Sequence, residues 1–135
     1  MLLNLPWTIV SLILYNIIAF TSGDAQTPEA PFNIELFSMD LLSGGNWSFT
    51  LGDLVLLIAF IALFIEIVKS ARISNIALFD HGLSILVFII CLVEFILVPQ
   101  AATSLFFFIM FTALIDVVGG FSVGLSAARR DLGVG

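Results

Sequence analysis

The chain has 135 residues, of which 61% are hydrophobic and 10% are charged. Soluble domains average about 45–50% apolar and about 25% charged residues, so this composition excludes a soluble fold. The net charge is −6 and the chain has four basic residues, Lys69, Arg72, Arg129 and Arg130. They are too few and too scattered to form a nucleic-acid surface, so we expect no nucleic-acid partner.

The first predicted helix covers residues 2–21, which carry no charged side chain. A cleaved signal peptide is the rival interpretation, because Gly23-Asp24-Ala25 resembles a small-residue cleavage site. The apolar run is not preceded by a basic segment, which such peptides usually have. We therefore predict a retained transmembrane helix.

Residues 22–50 form the only long polar interval, and they contain four acids but no lysine or arginine. Residues 32–36 and 37–41 alternate apolar and polar side chains, which favours extended segments over a helix. Trp47 and Phe49 suit the aromatic belt at which membrane proteins meet the lipid headgroups. The sequence predicts one irregular loop here, outside the cytoplasm.

Three further apolar runs predict helices over residues 51–70, 76–98 and 102–126. Each has about the 20 residues that a helix needs to cross the hydrocarbon. Thr50 and Asp53 have capping-box spacing at the start of the second helix. The predicted fold is therefore an all-α membrane protein, a bundle of four transmembrane helices forming one membrane domain over residues 1–135.

The basic residues predict how the chain is threaded. All four follow the second or the fourth predicted helix, and loop 22–50 has none. The positive-inside rule then places both termini in the cytoplasm. We predict a multi-pass protein of the inner (cytoplasmic) membrane, with the lipid bilayer as its surroundings.

Five ionisable side chains are predicted to form a polar network near the cytoplasmic side. With a rise of about 1.5 Å per residue, Glu66 and Asp116 lie roughly 22 and 21 Å below the outer ends of their helices. Lys69 and His81 come about one turn lower, with Asp80 beside them. An ionisable group at depth costs about 2.5–3.5 kcal/mol, so each should have a partner. We expect Glu66 to pair with Lys69, and Asp80 or Asp116 to pair with His81.

A second polar layer is predicted near the outer surface. Glu94 lies about 7 Å deep, at the level of Tyr15 and Asn16 in the first helix. These two residues offer only neutral hydrogen-bond donors. We therefore expect Glu94 to be protonated, or to meet a cation from a partner chain.

Glycine spacing predicts one helix contact. Gly120 and Gly124 in the fourth helix form a small-xxx-small pair, with Ala128 one step further. Such a stripe allows the backbones of two helices to approach closely. We predict that Gly120 and Gly124 serve helix packing.

Nothing in the residue pattern supports catalysis. The chain has one histidine, one cysteine, no glycine-rich phosphate loop and no spacing typical of a metal site. Bis-histidine haem ligation would need a second histidine beside His81. We predict no enzyme activity, no metal, no cofactor and no catalytic residues.

Three functions are compatible with these features. The leading prediction is a small accessory or structural subunit that stabilises or assembles a larger membrane complex by contacting other membrane subunits. The alternative is a small oligomeric proton-coupled transporter or channel that uses Glu66, Asp116 and His81 as a relay. The third is a pore-forming lysis protein of holin type, most of which carry a charged, often basic tail.

Overall fold

The computed structural model describes residues 5–71 and 75–133, with the backbone alone for 75–77, 123–124, 126–128 and 130–133. The described chain is mostly helical and contains a small antiparallel sheet. Its helices and strands are α1 (Thr8–Thr21), β1 (Glu35–Asp40), β2 (Asn46–Thr50), α2 (Leu51–Ser70), α3 (Asn75–Leu97) and α4 (Ser104–Gly133).

Three of the described helices are long and apolar enough to cross a membrane. They are α2, α3 and α4, through the stretches Leu51–Ser70, Leu78–Leu97 and Ser104–Ser122. Helix α1 is equally apolar but has only 14 residues, a length of about 21 Å. The predicted class, a helical membrane protein, is therefore supported by the fold, whereas α1 is shorter than the predicted first helix.

The start of α1 corrects the predicted first helix. The sequence predicts a helix from residue 2, but Leu5, Pro6 and Trp7 are not helical and α1 begins at Thr8. A residue that precedes proline is disfavoured in the helical conformation. The Pro6 carbonyl instead accepts a hydrogen bond from the Ile9 N–H at 3.1 Å, which forms the first turn. Residues 1–4 of the predicted helix lie outside the described residues.

A β-hairpin replaces the irregular structure predicted for loop 22–50. Strands β1 and β2 are antiparallel, and they pair Phe37 with Phe49 and Met39 with Trp47. The turn between them uses Gly44 with a φ of +84°, a conformation that favours glycine. Residues Ala30–Asn33 form a 3-10 turn, so the predicted extended segment over 32–36 is wrong at its start.

Helix α2 starts where β2 ends, and it has the range that the sequence predicts. The Thr50 hydroxyl accepts a hydrogen bond from the Asp53 N–H at 3.2 Å, and Asp53 Oδ2 accepts one from the Thr50 N–H at 2.9 Å. This is the predicted capping box, which satisfies N–H groups that the helix itself leaves free. The hairpin is thereby joined to α2 without a linker.

Helices α3 and α4 end and begin slightly away from their predicted bounds. Val98 is extended because it precedes Pro99, so α3 ends at Leu97. The predicted start of α4 at residue 102 is two residues early, because the Thr103 hydroxyl accepts a hydrogen bond from the Phe106 N–H at 3.0 Å and caps the helix. Helix α4 continues to Gly133, beyond the predicted end at 126.

The core lies where α4 contacts the three other helices. Its centre is Tyr15 of α1, which is fully buried. The Tyr15 ring stacks on Phe32 at 4.5 Å between ring centroids and meets Phe106 edge-on at 4.9 Å. Val55 of α2 and Cys91 of α3 complete the buried layer. The 3-10 turn that contains Phe32 therefore closes one end of the helix bundle.

Candidate functional site

Lys69 lies between two carboxylates from different helices. Its Nζ is 3.0 Å from Glu66 Oε1, one turn earlier on α2, and 3.2 Å from Asp80 Oδ2 on α3. The same ammonium donates a hydrogen bond to the Leu5 carbonyl at 2.9 Å. One cation therefore joins α2, α3 and the segment that precedes α1.

The acids of α2 and α4 bind the start of α1. The Trp7 N–H donates a hydrogen bond to Glu66 Oε1, and the Thr8 hydroxyl donates one to Asp116 Oδ2 at 3.3 Å. The first N–H groups of a helix have no partner within it and carry partial positive charge. No side chain of the α1 segment caps its own N-terminus. Glu66 therefore accepts a hydrogen bond from a backbone N–H at this end of α1, and Asp116 accepts one from a side chain of its first residue.

These side chains form what we call the inner cluster: Glu66, Lys69, Asp80 and Asp116. The cluster is largely buried inside the protein. Glu66 is 3% exposed and Asp116 is 5% exposed. The cluster has three carboxyl groups and one ammonium, so Lys69 alone does not satisfy all the acids. The hydrogen bonds to Trp7 and Thr8 satisfy part of the remainder, and a buried polar group needs such partners to be tolerated. Asp80 Oδ1 is buried and accepts no hydrogen bond from the described residues.

His81 pairs with neither Asp80 nor Asp116, the two acids that the sequence predicts as its partners. Asp80 binds Lys69, Asp116 binds Thr8, and the imidazole ring packs on α4 instead. It stacks on Phe121 with ring centroids 6.2 Å apart, and a Cβ placed on Gly120 would lie 3.1 Å from His81 Nδ1. Gly120 therefore provides the space for this ring. The sequence predicts a general role for Gly120 in helix packing, and the structure shows a contact with one side chain of α3.

The predicted role of Gly124 lies outside the described side chains. Gly124 belongs to α4, where the structure describes its backbone only. The predicted packing contact at Gly124 therefore stays a prediction.

The outer polar residues divide into two separate contacts. Asn16 Nδ2 donates a hydrogen bond to Glu94 Oε2 at 3.1 Å. Tyr15 does not join them, because its hydroxyl donates to the Gln100 carbonyl at 2.8 Å and lies 2.7 Å from Thr103 Oγ1. Sequence reasoning missed Thr103, although a threonine just before a predicted helix is a recognisable cap signal.

A groove opens between α1 and α3 beside Asn16 and Glu94. Its volume is about 520 Å³, and apart from these two residues its lining is apolar, with Phe20 of α1 and Ile90 and Val93 of α3 among its walls. Glu94 Oε1 and Asn16 Oδ1 are buried and have no hydrogen-bond partner among the described residues. The groove is therefore bordered by two polar residues whose unsatisfied oxygens are buried beside it.

A second surface feature is the hairpin, whose two faces differ in chemistry. Phe37, Met39, Trp47 and Phe49 lie on one face, which we call the apolar hairpin face. Phe37 and Met39 are each 49% exposed and Trp47 is 43% exposed. The paired side chains of the opposite face are polar: Ser38, Asp40, Asn46 and Ser48. This amphipathic element is the candidate surface that the sequence did not predict.

Among the side chains that the structure describes, no group of three or more His, Cys, Asp or Glu residues is placed to hold a metal ion. No family model matches this chain, and comparisons with curated proteins and with solved structures gave no significant match. A functional interpretation therefore depends on the geometry of the inner cluster, the groove and the hairpin.

Proposed function

We propose that this chain is a small accessory subunit that stabilises or assembles a larger membrane protein complex. The observation that carries the proposal is the apolar hairpin face, which no other part of the described chain covers. A lone two-stranded hairpin is at best marginally stable in water. Contiguous exposed apolar side chains of this kind mark interaction surfaces.

The charge of the hairpin segment favours a protein partner over the bilayer surface. Residues 22–50 carry four acids and no basic residue. Amphipathic elements that rest on anionic lipid are rich in lysine and arginine on their polar face. A protein surface with an apolar patch and a basic rim is complementary to both the aromatic side chains and the acids.

The inner cluster supports a structural role as well. The hydrogen bonds of Glu66 and Asp116 go to the first residues of α1, and Lys69 bridges α2 and α3. The alternative, a proton-coupled transporter or channel, requires these acids to exchange protons with water. Their engagement with α1 favours the accessory subunit, and transport is the second proposal.

We propose that the chain crosses the inner membrane four times and that both of its termini lie in the cytoplasm. Lys69 and Arg129 then lie at the cytoplasmic side and the hairpin lies outside. The start of α1 is held at the level of Glu66, below the membrane surface. In this threading α1, about 21 Å long, is the helical part of the remaining crossing.

The test is purification in mild detergent with paired hairpin variants. Met39→Ser/Trp47→Ser alters a directly paired couple on the apolar hairpin face, and Ser38→Ala/Ser48→Ala alters a paired couple on the polar face. We expect the natural chain and the polar-face variant to retain a stoichiometric protein partner. The apolar-face variant should lose it while reaching the membrane at the same level.

Two results would contradict the proposal. One is recovery of the natural chain alone from the membrane, without any stoichiometric protein. The other is equal retention of the partner by both double variants, which would mean that the hairpin is not the contact surface.

A further inference from the structure

Two residues that border the groove between α1 and α3, Asn16 and Glu94, each hold a buried hydrogen-bond acceptor without a partner among the described residues. Glu94 Oε2 is bound by Asn16 Nδ2, but Glu94 Oε1 and Asn16 Oδ1 have no partner among the described residues. Each lone buried acceptor is unfavourable in an apolar setting unless a donor reaches it. The terminal torsion of a glutamate side chain is broad, so the carboxylate can turn Oε1 towards the groove. A bound group that donates hydrogen bonds would satisfy both oxygens.

The groove is polar at one end and apolar along the rest. Glu94 lies three residues before the end of α3, so its backbone is about 4.5 Å from that end. Ile90 lies one turn deeper and Val93 beside it, and both face the groove. This order matches an amphiphile, with a polar head at the membrane interface and a tail along the hydrocarbon.

We propose that this groove binds a phospholipid whose head carries a primary ammonium, of which phosphatidylethanolamine is the chemical type. An ammonium offers three N–H donors and a positive charge. Those donors complement the Glu94 carboxylate and the Asn16 carbonyl, and one acyl chain lies against Ile90 and Val93. The volume of about 520 Å³ lies within the range of small-molecule sites, about 300–1,000 Å³. This inference is independent of the proposed role as an accessory subunit.

The choice of a lipid over a partner helix follows from the shape and depth of the groove. Its polar groups lie close to the end of α3, the level at which the head of a phospholipid would lie. The acyl chains of the bilayer are already present along the apolar walls. Binding of another protein's transmembrane helix in this groove would overturn the proposal.

The experiment compares two lipids that differ only in their head donors. The purified chain is reconstituted in nanodiscs of phosphatidylglycerol containing a small, equal share of either phosphatidylethanolamine or phosphatidylcholine, its N-trimethylated analogue, with the same acyl chains. The trimethylated head keeps the charge and lacks N–H groups. Lipid retained after mild extraction is measured by native mass spectrometry. We expect about a tenfold preference for the ethanolamine lipid, as one charge-assisted hydrogen bond supplies.

Two pairs of variants make the result specific. Glu94→Leu should abolish the preference, whereas Glu35→Leu, which alters an exposed acid of the hairpin, should keep it. Ile90→Trp fills the groove and should lower retention of both lipids, whereas Val118→Trp adds the same bulk on the exposed surface of α4 and should not. Far-ultraviolet circular dichroism establishes that each variant keeps its helices.

Three outcomes would overturn the proposal. The first is equal retention of the two lipids by the natural chain. The second is an ethanolamine preference that Glu94→Leu leaves unchanged. The third is a photo-crosslinker at position 93 that captures another polypeptide instead of lipid in native membranes.

Discussion

The inner cluster and the outer pair are two polar sites at opposite ends of the same bundle, and they are satisfied to different degrees. In the inner cluster, Glu66 binds Lys69 and the Trp7 N–H, Asp116 binds the Thr8 hydroxyl, and one oxygen of Asp80 has no partner among the described residues. In the outer pair, Asn16 and Glu94 share one hydrogen bond, and each keeps a buried oxygen without a partner among the described residues. Among the described residues, a helix N-terminus and a lysine ammonium contact the inner cluster and not the outer pair.

The largest expected effect follows from breaking the inner cluster. Glu66→Leu removes an acceptor from both Lys69 and the Trp7 N–H, so it leaves a buried cation and a helix end with fewer partners. We expect the free energy of unfolding to fall by about 3–5 kcal/mol. Denaturation in detergent, followed by circular dichroism, measures it. Glu29→Leu, at an exposed position, is the control, and equal stability of the two variants would contradict the role assigned to Glu66.

A smaller effect is expected at Asp116. Asp116→Leu leaves the Thr8 hydroxyl without its acceptor and should cost about 1–3 kcal/mol of unfolding free energy. Asp116→Asn keeps a carbonyl oxygen for Thr8 and should cost less than half as much. The same denaturation assay compares them. If asparagine were as damaging as leucine, the charge of Asp116 and not its hydrogen bond would be the important property.

Proton flux tests the second proposed function with the same residues. We expect proteoliposomes that contain the natural chain to show no flux above protein-free vesicles when a proton gradient is imposed, because the acids are engaged with α1. A pH-sensitive dye inside the vesicles measures this. Flux that Glu66→Gln and Asp116→Asn both abolish would favour the transporter over the accessory subunit.

The contact between His81 and Gly120 predicts that mutations at the two positions have non-additive effects on stability. Gly120→Ala places a Cβ about where the imidazole ring lies, since the built Cβ is 3.1 Å from Nδ1. We expect a loss of about 1 kcal/mol in unfolding free energy. In a His81→Ala background the same change should be neutral or stabilising, because alanine favours a helix over glycine. Identical effects in the two backgrounds would show that the ring does not occupy this space.

The smallest expected effect is at the outer pair, and it completes the comparison. Glu94→Leu removes a carboxyl group that has one hydrogen bond and one unsatisfied oxygen. Losing the hydrogen bond to Asn16 lowers the stability, whereas removing a buried oxygen without a partner raises it. The unfolding free energy should therefore change by less than about 1 kcal/mol. The unfolding free energies of Glu94→Leu and Glu66→Leu are measured side by side in lipid-free detergent. If both variants lost a similar amount of stability, the two polar sites would not differ as described.

The sequence predicts those features that depend on local spacing. Thr50 and Asp53 have the spacing of a capping box and form one, and α2 has its predicted range. The common depth of Glu66 and Asp116 also follows from counting residues, and both bind the start of α1. Two of the partners missed at this site are backbone groups, the Trp7 N–H and the Leu5 carbonyl, which no list of side chains contains. The third is a side chain, the Thr8 hydroxyl.

The hairpin was missed for a different reason. Residues Asn46–Thr50 alternate in the same way as Glu35–Asp40, but pairing depends on a turn that brings the two segments together in register. Gly44 and Gly45 lie in that turn, and Gly44 has a φ of +84°. Pro6 likewise determines where α1 begins. A prediction that gave this proline more importance than the apolar run would have placed the start of the helix later.

The short length of α1 has a consequence for the surrounding bilayer. In the proposed threading, α1 would cover about 21 Å of a hydrocarbon layer about 30 Å thick, because its first turn is held at the level of Glu66. The apolar stretches of α2, α3 and α4 are long enough to cross a membrane, and that of α1 is shorter. Lipids next to α1 would then compress or tilt, a case of hydrophobic mismatch limited to one side of the protein. In that threading, a thin bilayer would accommodate the α1 side at the lowest cost.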